Sequence, residues 1–218
     1  MSLNIMEAEV KEQKTYSVQR IEPNSSLLYK FIKRSFDLVV SICVLAVLLI
    51  PMLLIAVIIR LDSQGPAIFR QDRLGKDGKP FVIYKFRTMI IDAEKHGPQW
   101  AKENDPRCTK IGAFLRKSRI DELPQLLNVI KGEMSLVGPR PEREYFYDEF
   151  EKYIVGFRHR LAVRPGITGL AQVNGGYELL PEEKIVYDME YIEKMSVKLD
   201  LHCILKTVGV VFSHDGAR

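Results

Sequence analysis

Asp121 and Glu122 stand side by side where an apolar-periodic run opens, in SRIDELPQLLNVIKGEMSLVGPRPE, and the same stretch holds Arg140 between Pro139 and Pro141. Pro124 bears on where that helix starts, because proline is tolerated in a first turn, where its missing N–H has no partner anyway. With Asp121 as N-cap, Pro124 falls in the first turn, and free N–H groups and the helix dipole favour a negative charge at Asp121. A carboxylate kept ionised there suits a nucleophile or a Mg²⁺ ligand. Asp is equally a good structural N-cap, and Glu in a first turn is routine. The neighbours favour chemistry over capping. Arg140 is presented by backbone that its flanking prolines restrict, and Arg116 and Arg119 lie just upstream of the acids. Acids, arginines and helix N–H groups suit a phosphate ester with Mg²⁺, and an aspartate can attack phosphorus to give an acyl phosphate.

The elements that must position these residues can be read from pattern. PAIFRQDRLGKDGKPFVIYKFRTM predicts a hairpin around Gly75-Lys76-Asp77-Gly78. Alternation places Lys85 and Arg87 on one face with Phe81 and Ile83, leaving toward the next loop, where they could reach an anion. Residues 92–110 predict a polar loop with a short helix. Leu123, Leu126, Leu127 and Ile130 give the opening helix its apolar face, and Gly132 is placed to end it. A helix over 142–160 would align Phe146, Phe150, Tyr153, Ile154 and Phe157 as a core stripe or an interfacial one. VRPGITGLAQVNGG predicts a Gly- and Pro-built loop, and LDLHCILKTVGVVF an apolar C-terminal segment that packs on the domain or lies along a bilayer.

Residues 38–59, LVVSICVLAVLLIPMLLIAVII, carry no charge and match the length that crosses a bilayer core. They begin too far into the chain and run too long for a cleavable signal, and their uniformity argues against a buried core helix. Pro51 near the middle removes a helix hydrogen bond. Lys30, Lys33 and Arg34 precede the segment, and Arg60, Arg70, Arg73, Lys76 and Lys79 follow it. If both basic flanks keep to the cytoplasmic side, the segment bends at Pro51 and returns. A kinked span remains the alternative. The expected organisation is α+β: a polar tail over 1–29, a membrane-inserted helix–break–helix over 30–61, and a cytosolic catalytic domain over 62–218. That domain is expected to be small and mainly helical, with the β-hairpin and interfacial amphipathic helices.

Composition narrows the partners. A net charge of +4, from 32 Lys and Arg against 28 Asp and Glu, fits an anionic surface or a phosphate-bearing ligand. Signs this evenly mixed argue against nucleic acid. Cys43, Cys108 and Cys203 lack metal or redox spacing, no histidine pair has H-x-x-x-H spacing, and no Walker loop or G-x-G-x-x-G occurs.

Four stretches together resemble the bacterial sugar transferases, the monotopic polyprenyl-phosphate phosphoglycosyl transferases: KRSFDLVVS, IFRQDRLGKDGKPFVIYKFRTM, LRKSRIDELPQLLNVIKGEMSLVGPRPE and VRPGITGLAQVNG. The likeness runs over roughly residues 30–213. It implies transfer of a sugar 1-phosphate from a UDP-sugar to polyprenyl phosphate with release of UMP, an early step in surface-glycan assembly at the bacterial cytoplasmic membrane. It implies Mg²⁺, a covalent phosphosugar on Asp121 with Glu122 as partner near the metal, and phosphates held by Arg116 and Arg140. Arg164 and Gln172 are candidates for contact with nucleotide or sugar, membrane lipid is an expected partner, and a homodimer is left open. The family often has Ser-Pro at its membrane break, whereas this chain has Ile50-Pro51. Longer relatives carry extra transmembrane helices and a further domain, so the chain is expected to be a minimal catalytic form. The rival reading from another class is a membrane-tethered, non-enzymatic module for anionic lipid or nucleic acid.

Overall fold

In the computed structural model, residues 15–24, 26–95, 97, 99, 105–176 and 178–213 are described. Strand β1 (Tyr16–Ser17) precedes helix α1 (Leu27–Asp62), which leads to the hairpin β2 (Ile68–Leu74) and β3 (Pro80–Phe86). Helix α2 (Lys110–Lys117), a 3-10 turn (Ile120–Gln125), α3 (Leu126–Lys131) and β4 (Ser135–Val137) follow. Next come α4 (Glu144–Glu151), β5 (Ile154–Val155), a 3-10 turn (Phe157–Ala162), β6 (Gly166–Thr168) and α5 (Leu170–Val173). Helices α6 (Pro181–Glu193) and α7 (Val197–Ser213) complete the described chain. The expected mixture of helix and strand is present.

α1 is one helical element of 36 residues with Pro51 inside it, so the expected break is not a gap in the helix. Ser26 caps its start by accepting from the Tyr29 N–H. The helix is long and apolar enough to cross a membrane, and only 6% of its most apolar window is buried by the protein, which overturns a core helix. One stripe faces the domain on both sides of Pro51. Before it, Val40, Val44 and Leu45 pack on the main core; after it, Met52, Ile55, Ala56 and Ile59 pack around Phe86 and Leu115. Arginines fix both ends. Arg34 donates to the Val129 and Ile130 carbonyls that close α3, and Arg87 donates to the Ile59, Ser63 and Gln64 carbonyls that close α1.

β2 and β3 pair antiparallel with Ile68 opposite Phe86, as the alternation predicts. β4 pairs parallel with β6, and the two strands sit so close that a Cβ on Gly166 would lie 2.1 Å from the Gly138 N. No side chain larger than hydrogen fits that crossing.

Three expectations are corrected. The helix over 142–160 stops at Glu151, because β5 pairs with β1 and Gly156 takes a left-handed φ of 92°. Of its stripe, Ile154 and Phe157 are core, at most 1% exposed, Phe150 and Tyr153 pack partly buried against that core, and Phe146 is half-buried. The expected tail is partly docked: Tyr16, Val18 and Ile21 pack on the core and Asn24 donates to the Met195 carbonyl, while residues 1–14 lie outside the described residues. VRPGITGLAQVNGG is not a plain loop but contributes β6 and α5. The C-terminal segment is helix α7, whose Cys203 is fully buried against the core. Of the polar stretch 92–110, residues 96, 98, 100–104 lie outside the described residues.

Candidate active site

Asp121 is not the N-cap of an α-helix. It is the second residue of the 3-10 turn, entered from Arg119 in the left-handed conformation (φ 57°, ψ 12°). A non-glycine residue held there costs about 1 kcal/mol or more, a strain that recurs at functional sites. α3, which follows, is only six residues long and ends at Gly132 as expected. Capping therefore does not explain the acidic pair.

Asn128 of α3, fully buried, fastens this turn to the hairpin. Its side-chain amide donates to the Val82 carbonyl (2.7 Å) and accepts from the Tyr84 N–H (3.1 Å), imitating a strand edge. The next residue of β3 is Lys85, whose Nζ is thereby brought 2.8 Å from Glu122 Oε1. From the other side, Arg140 Nη2 reaches the same oxygen at 2.6 Å and its Nη1 reaches Oε2 at 3.3 Å. Burial would push the Glu122 carboxyl up, but the Arg140 and Lys85 charges outweigh it and hold the group far below the usual carboxylate range.

Asp121 has the opposite balance. Burial, and then the Glu122 charge beside it, push its pKa up to about 6 against the pull of Lys85, Arg116 and Arg140. The sequence expectation of helix-terminal stabilisation is corrected in cause: the group stays mostly ionised at neutral pH, yet as a desolvated, destabilised carboxylate. Such an anion is a better nucleophile than a well-solvated one.

Asp121 lines a cleft of about 1030 Å³. Twelve lysines and arginines line the same cleft, against the carboxylates of Asp121, Glu94 and Glu142. Six of the twelve are in ion pairs, with Glu142, Glu122, Asp105, Glu94 and Asp188, and the net positive charge that is left suits an anion such as a diphosphate. One wall is apolar and includes Ala56 of α1 beside Arg60, together with Phe69, Ile90 and Ile91, which are 39–64% exposed. The long apolar helix therefore forms part of the site.

Among the expected site residues, Lys85, Arg116, Asp121, Arg140 and Gln172 line this cleft, with Glu122 directly behind Lys85 and Arg140. Arg116 also donates to the Cys108 Sγ (3.4 Å), and buried Gln172 donates to the Ile167 carbonyl. Arg87 borders the cleft but spends its guanidinium on the carbonyls at the end of α1. Arg164 is exposed, outside the cleft lining, and donates to the Gly132 carbonyl. Pro51 is exposed and lies outside the lining too. Sequence reading missed Arg73, Arg160, Lys184 and Asn128, which no local spacing marks.

Among the described residues, no group of three or more His, Cys, Asp or Glu could hold a metal by itself. Magnesium asks for less: one or two carboxylates, with phosphate and water oxygens completing its octahedron. The adjacent Asp121 and Glu122 carboxylates beside a cation-lined cleft fit that pattern.

A family model described as "Bacterial sugar transferase" matches residues 28–214. A protein of Aeromonas hydrophila, named UDP-N-acetylgalactosamine-undecaprenyl-phosphate N-acetylgalactosaminephosphotransferase, is 44% identical over 88% of this chain and 46% of its own length. Two proteins named UDP-glucose:undecaprenyl-phosphate glucose-1-phosphate transferase are also similar. That of Escherichia coli is 40% identical over 86% of this chain and 42% of its own length. That of Caulobacter vibrioides is 44% identical over 85% and 71%. The chain thus spans less than half of the Aeromonas and Escherichia relatives.

Proposed function

The chain belongs to the bacterial sugar transferase family, and from that premise we propose that it moves a sugar 1-phosphate from a UDP-sugar to a polyprenyl phosphate. The observation that carries this reading is Asp121, a desolvated carboxylate facing a cleft whose lining is otherwise dominated by cations. A module that merely held anions would be weakened by such a carboxylate, whereas a displacement at phosphorus can use it as the nucleophile.

In the first step a carboxylate oxygen of Asp121 attacks the phosphorus that bears the sugar. The bond from that phosphorus to the bridging oxygen breaks, UMP leaves with the electron pair, and an aspartyl phosphosugar remains. In the second step a phosphate oxygen of the polyprenyl phosphate attacks the same phosphorus. The Asp121 carboxylate is released and polyprenyl diphosphosugar forms. Arg116 and Arg140 hold phosphate oxygens, and Lys85 and Arg140 keep Glu122 ionised beside the nucleophile. Asp121 and Glu122 would hold Mg²⁺ with substrate oxygens, and the ion would neutralise charge on the diphosphate.

The proposed topology rests on α1. Residues on both sides of Pro51 pack on one domain, and arginines fix both ends of the helix to it. A helix that crossed the bilayer would carry its far end away from that domain. The reading this supports is re-entrant insertion, with the domain on the cytosolic face where UDP-sugars are met. The acceptor then reaches the cleft along its apolar wall, next to Ala56.

The test is UMP release by nanodisc-held protein with Mg²⁺, undecaprenyl phosphate and a panel of UDP-sugars. Lipid-dependent multiple turnover with one donor is expected, and would also name the sugar. No UMP from any donor, with folding verified, would overturn the reading.

A further inference from the structure

The backbone that presents Arg140 is held carbonyl by carbonyl. Pro139 O accepts from the Gly166 N–H at 2.9 Å, and Pro141 O from Arg73 Nη1 at 3.1 Å. Arg140 O itself accepts from Arg160 Nη2 at 3.0 Å. Neither proline has an N–H to offer, so both are held through their carbonyls.

The middle bond is the unusual one. Arg160 is a cation with 2% side-chain exposure, its guanidinium over the Phe157 ring at 5.0 Å. Asp188 of α6, equally buried, faces it with Oδ2 at 2.6 Å from Nη2. The two meet charge to charge and not along a hydrogen-bond direction, since Asp188 Oδ2 has no hydrogen-bond partner. Apolar residues of similar volume often stabilise a core at least as well as a buried ion pair. Stability alone does not explain this one.

We infer that Arg160 and Asp188 are positioning residues for Arg140, an inference resting on the transferase reading of the same cleft. Arg160 fixes the Arg140 carbonyl, and Asp188 keeps the Arg160 charge in place to do so. The Arg140 fork is thereby aimed at Glu122 and at a phosphate oxygen.

The experiment uses the full chain in nanodiscs and compares wild type, the double variant Arg160→Met/Asp188→Leu, Arg140→Ala, and all three substitutions together. The double variant removes both charges in near-isosteric form and is expected to stay folded, with kcat/KM for UMP release down about 100-fold, mostly in kcat. Added to Arg140→Ala, it should cost no more than about a further twofold, because the residue it positions is already gone. Losses that multiply instead, or a double variant with wild-type kcat, would overturn the inference. If the double variant melts below the assay temperature, Asp188→Asn enters the same cycle with the same criteria. Wild-type protein that releases no UMP would sink the transferase reading and this inference with it; active wild type with multiplying losses sinks this inference alone.

Discussion

Arg140 and Glu122 meet at 2.6 Å, joining the proline-flanked segment after β4 to the 3-10 turn that carries Asp121. The contact is bidentate, from Nη2 to Oε1 and from Nη1 to Oε2, and a planar fork makes it while a lysine ammonium cannot. Arg140→Lys should therefore lower kcat/KM for UMP release by about 10–100-fold with folding intact. Wild-type kcat/KM in that variant would show that the fork geometry is dispensable.

Asp121→Asn should reduce turnover by at least about 10⁴-fold. It should not lower the melting temperature measured at pH 8. Burial raises the Asp121 pKa, so the ionised group destabilises the fold at that pH, and a neutral isostere relieves the cost. A variant that melts well below wild type would mean the carboxylate serves structure first.

The same shift sets a pH dependence. Protonated Asp121 cannot attack, so kcat should fall as pH drops through about 6, the value to which burial and Glu122 push the group. The stability sign is opposite: with the folded pKa raised, this group's contribution improves on acidification from about 6 toward the ordinary carboxylate range. A rate flat down to pH 5 in a pH series under saturating substrates would refute Asp121 as the titrating nucleophile.

Single cysteines at Lys30 and Asp62, exposed near the two ends of α1, can be compared in a background with Cys43, Cys108 and Cys203 replaced by serine. Re-entrant insertion predicts that an impermeant maleimide labels both positions only once the cytosolic face is opened. Labelling of one from outside intact spheroplasts would establish a span.

Much of the site's skeleton could be read from the chain. The hairpin announced itself through alternation around Gly75-Lys76-Asp77-Gly78, α1 through its uncharged run, and the Asp121–Glu122–Arg140 grouping through residue type and nearness in sequence. The likeness to a family then supplied a reaction that no spacing contains. What stayed hidden depends on distant partners. Asn128 ties α3 to Tyr84 and Val82 across 44 and 46 positions, and a buried asparagine has no sequence signature of that bond. The same holds for Arg160 and Asp188. The expected helix over 142–160 failed because β1, assigned to a polar tail, claims Ile154–Val155 as a partner. The N-cap reading of Asp121 failed because a 3-10 turn satisfies the same proline constraint as an α-helix's first turn.

The most direct measurement is of the nucleophile itself: rapid-quench incubation of the protein with Mg²⁺ and its UDP-sugar in the absence of polyprenyl phosphate, followed by peptide mass mapping. The account predicts a burst of about one UMP per active site and a phosphosugar mass increment on the peptide bearing Asp121, both discharged by added polyprenyl phosphate. UMP formed only when the lipid is present, with no adduct on Asp121 at any time, would contradict it.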